Sequence, residues 1–220
     1  MTSWRCAAVL FDLDGVLVDS RACIEGIWRV WAAGKGLDPE PFIRIAHGRR
    51  TSETIRTVAP ELDVAAEVAA LDRLEETETA GIHRVPGADR LVRTIPATRW
   101  AIVTSGSHRV ATLRLGVVGL PVPDVFVTSD AVRAGKPAPD GYLAAADRLG
   151  LDPADCVAIE DSPPGIAAAR AAGMRVIAVL TTHQERDLAQ ANIRLPALAH
   201  IGISYETREP CAVALELSPA

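Results

Sequence analysis

The pattern of apolar and polar positions alternates between short apolar runs and longer amphipathic stretches over most of the chain. Apolar, strand-like runs lie at 7–12, 100–104, 125–128, 156–160 and 175–180, and helical patterns lie at 107–116, 139–150 and 163–173. Strands that alternate with helices in this way are typical of a parallel sheet with helices on both faces. The last two helical stretches begin at prolines and end at glycines, as expected at helix boundaries. The sequence therefore predicts a doubly wound α/β fold.

One segment interrupts this alternation. Residues 18–84 separate the first predicted strand from the rest of the pattern and are helical in pattern throughout. Apolar side chains at spacings of three and four indicate an amphipathic helix near its start; they are Ile24, Ile27, Trp28 and Trp31. Because the segment is too long for a simple connection, we expect a small helical cap at 18–84 and an α/β core formed by 1–17 and 85–220. The short β-like runs from Ile201 onward have no assigned place.

Composition narrows the classes of protein that the chain can represent. The chain has 220 residues, of which 49% are hydrophobic and 23% are charged, with a net charge of −5. The negative net charge argues against a nucleic-acid-binding protein that is held by phosphate contacts. No apolar stretch approaches the length of a membrane-spanning helix, and the N-terminus shows no signal segment. We therefore expect a cytoplasmic protein with no nucleic-acid partner and no membrane attachment.

The cysteines and lysines change this picture slightly. The cysteines have no CxxC spacing and no cluster, which favours buried thiols over a disulfide frame or a zinc site; they are Cys6, Cys23, Cys156 and Cys211. Of 23 basic residues, the lysines are Lys35 and Lys136. A lysine between Gly135 and Pro137, in a chain so biased toward arginine, indicates a place where a compact ammonium is needed instead of a planar guanidinium.

The strongest chemical signal is the pair of carboxylates at Asp12 and Asp14, which end the first apolar run and precede Gly15. Side chains alternate in direction along a strand, so both carboxylates leave its carboxyl end on one side. Open α/β sheets bind their ligands at this end of the strands. Two carboxylates held so close repel each other unless a cation or a proton lies between them. An ordinary strand-to-turn exit also accommodates Asp and Gly, so this segment alone leaves both interpretations open.

Four segments together carry a family resemblance. Asp12-Leu-Asp-Gly15 resembles the nucleophile loop of the haloacid dehalogenase superfamily of phosphohydrolases. Three further segments resemble the other motifs of that family in the expected order: Trp100–Gly106, Gly135–Pro137 and Val157–Gly165. The resemblance implies a Rossmann-like core with an inserted helical cap. It also implies a Mg²⁺-dependent phosphatase whose partner is a small-molecule phosphate ester, namely a phosphorylated sugar or polyol.

The resemblance further implies roles for individual residues. Asp12 is expected to be the nucleophile that forms an aspartyl-phosphate, and Asp14 the general acid and base. The expected Mg²⁺ ligands are the Asp12 carboxylate, the Asp14 backbone carbonyl and Asp161. Glu160 is expected to support the ion without binding it directly, although the sequence alone does not rank Glu160 against Asp161. The groups expected to hold the phosphoryl oxygens are Thr104, Ser105, Gly106 and Lys136.

The cap offers candidates for substrate contact. The segment from His47 through Arg49 and Arg50 to Thr51 resembles the cap of sugar- and polyol-phosphate phosphatases in this family. Solvated arginines at a helix start would explain the same segment. We expect His47 or one of the two arginines to reach the active site, and Glu25, one turn into the first cap helix, is a further candidate.

Two other functions fit parts of the sequence. A hexose-phosphate mutase of the β-phosphoglucomutase type has the same core and cap, but it carries a histidine twelve residues after the nucleophile, where this chain has Ile24. This departure favours water as the phosphoryl acceptor. A non-catalytic sugar-phosphate-binding protein would be indicated by loss of Asp12, Asp14 or Lys136, and all three are present. The physiological substrate and the oligomeric state stay open.

Overall fold

The computed structural model describes residues 2–205 and 213–218. The strands are β1 (Thr2–Cys6), β2 (Ala8–Phe11), β3 (Val18–Asp19), β4 (His83–Arg84), β5 (Trp100–Val103), β6 (Val125–Val127), β7 (Cys156–Glu160), β8 (Arg175–Val179), β9 (Ile193–Leu195), β10 (Ile201–Tyr205) and β11 (Val213–Leu217). The helices are α1 (Arg21–Ala33), α2 (Glu40–Ala46), α3 (Thr51–Val58), α4 (Val64–Glu75), α5 (Ala88–Thr94), α6 (His108–Val118), α7 (Asp140–Leu149) and α8 (Pro163–Ala171).

The main sheet is parallel throughout and has the order β6-β5-β2-β7-β8-β9. Its central strand β2 sends Val9 and Phe11 into one apolar cluster and Ala8 and Leu10 into another, as the alternation of side chains along a strand requires. Apolar residues of α5 and α6 belong to the first cluster, and those of α7 and α8 to the second. Helices therefore cover both faces, and the predicted doubly wound α/β fold is confirmed.

Each strand and helix predicted for the core is present within a few residues of its expected bounds. The runs from Ile201 onward form β10 and β11, which pair with β1 in a separate antiparallel sheet of order β1-β11-β10. In its register Thr2 and Ile201 both face Leu217, from opposite sides. Because this pairing joins the two ends of the chain, no local sequence signal could have placed these strands.

The inserted segment contains α1–α4 and is bounded by an antiparallel ribbon in which Val18 of β3 pairs with Arg84 of β4. Its interior is aromatic: the rings of Trp28 and Phe42 stack with centroids 5.4 Å apart, and Trp31 meets Phe42 edge-on at 5.0 Å. The division into a core and a cap at residues 18 and 84 stays a prediction, and the ribbon lies at those positions.

Two predictions from composition concern burial. Three cysteines, Cys6, Cys23 and Cys156, are buried as expected, and Cys211 lies outside the described residues. Among residues 2–205 and 213–218, no helix is both long enough and apolar enough to cross a membrane.

Candidate active site

The carboxyl ends of three neighbouring strands bring the predicted motif residues together. Phe11 of β2 is in register with Ile102 of β5 and Ile159 of β7, so the residues that follow these positions lie at one edge of the sheet. Asp12 comes directly after β2, its N–H donates to the Ile159 carbonyl at 3.0 Å, and Glu160 ends β7. The fold therefore explains why these motifs, distant in sequence, can form one site.

Gly15 allows the acidic loop to turn beneath Asp161. Its φ of +83° lies in the left-handed region that favours glycine, and a Cβ at this position would collide with the Asp161 carboxylate. Its N–H donates to the Val18 carbonyl at 2.7 Å. A side chain here would both strain the turn and displace an acidic group.

Lys136 is a buried cation that joins two carboxylates. Its Nζ lies 2.7 Å from Asp12 Oδ1 and 2.6 Å from Glu160 Oε1. Burial raises the pKa of Asp12 to about 7 although Lys136 opposes this effect. Burial would lower the pKa of Lys136, but the charges of Asp12 and Glu160 outweigh it and raise that pKa above its ordinary value. The ammonium therefore stays charged and fixes one oxygen of Asp12.

Glu160 has both carboxylate oxygens occupied by protein donors. Oε1 accepts from Lys136 and from the Tyr142 hydroxyl at 2.7 Å. Oε2 accepts from the Asp161 N–H at 3.1 Å and from the Ser162 hydroxyl at 3.2 Å. A carboxylate held by four donors is fixed in place and has little capacity left for a metal ion.

Asp161 differs from its neighbour in this respect. Its Oδ2 accepts from the Thr182 hydroxyl, but its buried Oδ1 has no hydrogen-bond partner in the described part of the chain. Burial, followed by the charges of Asp12 and Glu160, raises the pKa of Asp161 well above its ordinary value. A buried carboxylate oxygen without a donor costs free energy unless something positive meets it.

The acidic cluster fits a divalent cation. Asp12, Glu160 and Asp161 offer oxygens that lie within 4.8 Å of one another. Once all three carboxylates are ionised, the single ammonium of Lys136 would leave two negative charges, which one divalent ion would balance. Carboxylate oxygens are the ligands that hard divalent cations prefer. The orphaned Oδ1 of Asp161 and the cluster as a whole are therefore suited to hold such an ion.

The predicted phosphate-binding segment follows β5. Thr104 is buried, and its Oγ1 accepts from the Gly106 N–H at 3.1 Å. The Ser105 hydroxyl donates to the backbone carbonyl of Gly48 at 3.0 Å, which ties the core to the cap segment. Thr104 thus follows β5 at the sheet edge that also carries Asp12, while Ser105 contacts the cap segment.

A cavity lies between this sheet edge and the cap segment. Its lining from the core includes Asp12, Asp14, Thr104, Ser105, Gly106 and Arg114. Its lining from the cap segment includes Ile24, Trp28, His47, Gly48, Arg49, Thr51, Thr54 and Glu75. Thr54 is fully buried, and within the described residues its Oγ1 has no hydrogen-bond partner. The cavity lining therefore combines the apolar side chains of Ile24 and Trp28 with several hydrogen-bonding groups.

The four cap candidates divide into two pairs. His47 and Arg49 line the cavity, whereas Glu25 and Arg50 are not among the described residues that line it. Glu25 pairs with Arg29 at 3.1 Å on its own helix. Burial and then the neighbouring His183 lower the pKa of His47, which favours a neutral imidazole in the cavity.

Arg50 holds a core loop instead of facing the cavity. Its guanidinium donates to the backbone carbonyls of Ser129, Val132 and Arg133 at 3.0, 2.9 and 3.1 Å. This loop precedes Lys136 along the chain, so Arg50 ties the cap segment to the loop that leads to the lysine.

Asp14 has partners that sequence reasoning missed. Its Oδ1 accepts from the Ser20 hydroxyl at 2.6 Å and its Oδ2 from Arg114 Nη1 at 2.9 Å. Arg114 Nη2 in turn donates to Glu75 Oε2 at 3.0 Å. Nothing in the sequence distinguishes Arg114 from the other arginines, and Glu75 and Thr54 read as ordinary helical positions. Only the packing of α3, α4 and α6 around the cavity identifies them.

Known proteins are similar to this chain along most of its length. A family model of haloacid dehalogenase-like hydrolases matches residues 6–173. The chain is 43% identical to hexitol phosphatase A of Escherichia coli over 207 residues, which cover 92% of this chain and 96% of that protein. It is 35% identical to glycerol-1-phosphate phosphohydrolase 1 of Saccharomyces cerevisiae over 193 residues, 82% of this chain and 77% of that protein.

A solved structure gives the same result. CbbY of Rhodobacter sphaeroides in complex with phosphate superposes with a TM-score of 0.75 at 28% identity, over 88% of this chain and 95% of that one. The sequence motifs, the shared fold and the similar relatives agree, as the resemblance predicted. The chain belongs to the haloacid dehalogenase-like hydrolase family.

Proposed function

We propose that the protein is a Mg²⁺-dependent phosphatase that hydrolyses phosphate monoesters of small polyols or sugars. The observation that carries the proposal is the buried Asp12–Lys136 pair, 2.7 Å apart, next to Asp161 with its orphaned oxygen, at the point where Asp12 lines the cavity. The similarity to a hexitol phosphatase and to a glycerol-1-phosphate phosphohydrolase supports the substrate class. The polar groups of the cavity wall suit an ester that carries several hydroxyl groups.

Asp12 is the nucleophile in this proposal. Lys136 occupies its Oδ1, which leaves Oδ2 to attack phosphorus and displace the alcohol oxygen. The product of this step is an aspartyl-phosphate, which divides one difficult reaction into two easier ones. Lys136 also offsets charge on the phosphoryl oxygens, since a fixed cation in a dry site stabilises the transition state more than it would in water.

Asp14 moves the protons. Its carboxyl protonates the leaving alcohol as the phosphorus–oxygen bond breaks, and the resulting carboxylate then takes a proton from the water that attacks the aspartyl-phosphate. Asp14 lies two residues after Asp12 and lines the same cavity, which supports this role. Such acid–base assistance contributes about 10²–10⁴-fold to a rate.

Asp12, Asp161 and the backbone carbonyl of Asp14 would hold the metal ion, and Glu160 would position Lys136 and Tyr142 instead of binding the ion directly. When bound, Mg²⁺ would offset the negative charge of the phosphoryl group and of Asp12 during attack. The four donors on Glu160 and the orphaned oxygen of Asp161 support this ranking.

Water is the proposed acceptor of the phosphoryl group. A mutase would need a second acid–base residue from the cap to activate a sugar hydroxyl, and position 24, where the mutases that this chain resembles carry histidine, is an isoleucine at the cavity wall. An aliphatic side chain cannot accept a proton. Net hydrolysis is therefore favoured over transfer to a second sugar.

The test is phosphate release from a panel of esters by the purified protein, with Asp12→Asn as the control for contaminating phosphatases. The panel contains hexitol phosphates, glycerol phosphates, hexose phosphates, nucleotides and a phosphotyrosine peptide, each with Mg²⁺ and after exhaustive chelation. We expect polyol and hexose phosphates to be hydrolysed fastest, and only with the metal. A nucleotide or phosphopeptide that exceeds them by a wide margin would contradict the substrate class, and full activity after chelation would contradict the metal.

A further inference from the structure

Arg114 of α6 is a buried guanidinium that bridges two carboxylates from different parts of the chain. It is 3% exposed. Its Nη1 lies 2.9 Å from Asp14 Oδ2, and its Nη2 lies 3.0 Å from Glu75 Oε2. Asp14 belongs to the core loop, whereas Glu75 ends α4 of the cap segment. One side chain thus connects the proposed acid–base group to the element that covers it.

A second ion pair, between α6 and the residue that follows α4, provides a comparison. Arg109 and Glu76 lie 3.2 Å apart, and the Arg109 side chain is 77% exposed. Exposed pairs of this kind contribute little to stability. In a buried bridge, the cost of desolvating three charged groups offsets much of their attraction. Apolar residues of similar size often stabilise a protein to the same extent as such a bridge. Stability is therefore a poor explanation for burying Arg114 between Asp14 and Glu75.

The bridge fixes the direction of Asp14. With Ser20 on one oxygen and Arg114 on the other, the Asp14 carboxylate has one orientation in which both donors are satisfied. Because Glu75 takes the other arm of Arg114, the guanidinium is aligned by the cap segment. The arrangement of Arg114 and Asp14 is thus held in part by a contact with the cap segment.

We propose that Arg114 is a positioning residue that aims Asp14 at the leaving-group oxygen, and that Glu75 makes this alignment conditional on cap closure. The proposal rests on the phosphatase function proposed above. Arg114 transfers no proton itself: the proton passes from Asp14 to the leaving oxygen as the phosphorus–oxygen bond breaks. Chemistry is thereby tied to the covered state of the site, in which bulk water is excluded.

The experiment separates acid assistance from substrate binding by the choice of leaving group. Phenyl phosphate and 4-nitrophenyl phosphate are similar in size and carry no sugar hydroxyls, but phenolate is the more basic leaving group and needs protonation more. Single-turnover release of the phenol is measured for the wild type and for Arg114→Met, Arg114→Lys and Glu75→Gln. Arg109→Met and Glu76→Gln are matched controls from the exposed pair, and thermal unfolding shows that each variant is folded.

We expect Arg114→Met to lose about tenfold more rate on phenyl phosphate than on 4-nitrophenyl phosphate, a part of the full acid–base contribution. Arg114→Lys should show less of this extra loss on phenyl phosphate than Arg114→Met. Glu75→Gln should also lose more rate on phenyl phosphate than on 4-nitrophenyl phosphate, but by a smaller factor. Asp14→Asn should show it fully, with little further loss in Asp14→Asn/Arg114→Met, because both changes act on one group. Both exposed-pair controls should behave as the wild type.

Equal losses on the two esters would overturn the positioning role, since a merely structural defect does not depend on the leaving group. Additive losses in the double variant would overturn it as well. A Glu75→Gln variant that matches Glu76→Gln would overturn the coupling to the cap. Failure of the wild type to release phosphate from either ester would instead contradict the proposed phosphatase function, so the two failures are distinguishable.

Discussion

When no metal is bound, replacing Glu160 is expected to destabilise the protein, whereas replacing its neighbour Asp161 is not. Asp161 is buried, its pKa is raised well above the ordinary value by burial and by Asp12 and Glu160, and its Oδ1 has no donor within the described residues. Asp161→Asn removes this charge and keeps an oxygen for the Thr182 hydroxyl. Glu160→Gln instead places an amide NH₂ against two of the four donors that Glu160 accepts.

The magnitudes follow from these contacts. Hydrogen bonds to charged groups contribute about 1.5–3 kcal/mol each, so loss of two acceptor positions costs at least about 3 kcal/mol. For a chain of this size, 1 kcal/mol changes Tm by about 2–4 °C. Glu160→Gln should therefore lower Tm in EDTA by at least about 6 °C. Asp161→Asn should leave Tm in EDTA unchanged or raise it.

Magnesium should narrow the difference in stability between the two variants. At a concentration about 100-fold above its Kd, Mg²⁺ adds about 2.7 kcal/mol to the free energy of unfolding, and this gain should appear in the wild type. Asp161→Asn should lose the gain because a ligand is gone. Glu160→Gln should retain it at higher Mg²⁺, since groups that position ligands typically change metal affinity about 10–100-fold.

The assay is thermal unfolding of the wild type and both variants in EDTA and across a Mg²⁺ series. Asp155→Asn, an exposed acid at the other end of the same strand region, is the matched control and should follow the wild type in both conditions. A lower Tm for Asp161→Asn than for Glu160→Gln in EDTA would refute these roles of the two acids. A Mg²⁺ response that Asp161→Asn keeps and Glu160→Gln loses would refute them as well.

Three further predictions concern Asp12 and the cavity. The pKa of Asp12 is raised from 3.8 to about 7. In the metal-free protein, the protonated Asp12 therefore contributes fully to stability below about pH 4, and this contribution is lost as the pH rises to about 7. The unfolding free energy of the wild type minus that of Asp12→Asn should fall across this pH range. Arg49→Ala should raise KM for polyol phosphates about tenfold, as loss of one charged hydrogen bond would, and should change KM for 4-nitrophenyl phosphate little. Arg50→Ala should instead lower kcat to the same extent for both kinds of ester. Steady-state kinetics measure KM and kcat separately and so distinguish the two effects. Thr54→Val should leave Tm unchanged or raise it, because the lost hydroxyl has no partner among the described residues, yet should raise KM for polyol phosphates but not for phenyl phosphate.

The parts of the site that the sequence predicts are those that depend on short, local sequence patterns. Asp12 and Asp14 stand at a strand end, and Lys136 stands out because the chain otherwise uses arginine. Their meeting at one sheet edge follows from parallel strands alone. The register of Phe11 with Ile102 and Ile159 shows that these strands end at the same edge of the sheet, as expected for parallel strands.

The parts that escaped prediction depend on contacts between distant segments. Arg49 and Arg50 are adjacent in sequence, and their opposite directions are set by Arg50 standing in extended backbone at the start of α3. Arg114 meets Asp14 across 100 positions and Glu75 across 39. No periodicity or spacing encodes such a bridge, because helix packing, and not local propensity, brings the charges together.

The most direct test of the central claim is phosphate release from a hexitol phosphate in Mg²⁺ by purified wild type and Asp12→Asn, prepared side by side. A covalent mechanism at Asp12 predicts steady release by the wild type and at least about 10³-fold slower release by the variant, since an amide cannot attack phosphorus. Similar rates for two folded preparations would contradict the account, because the phosphoryl group would then pass to water without Asp12.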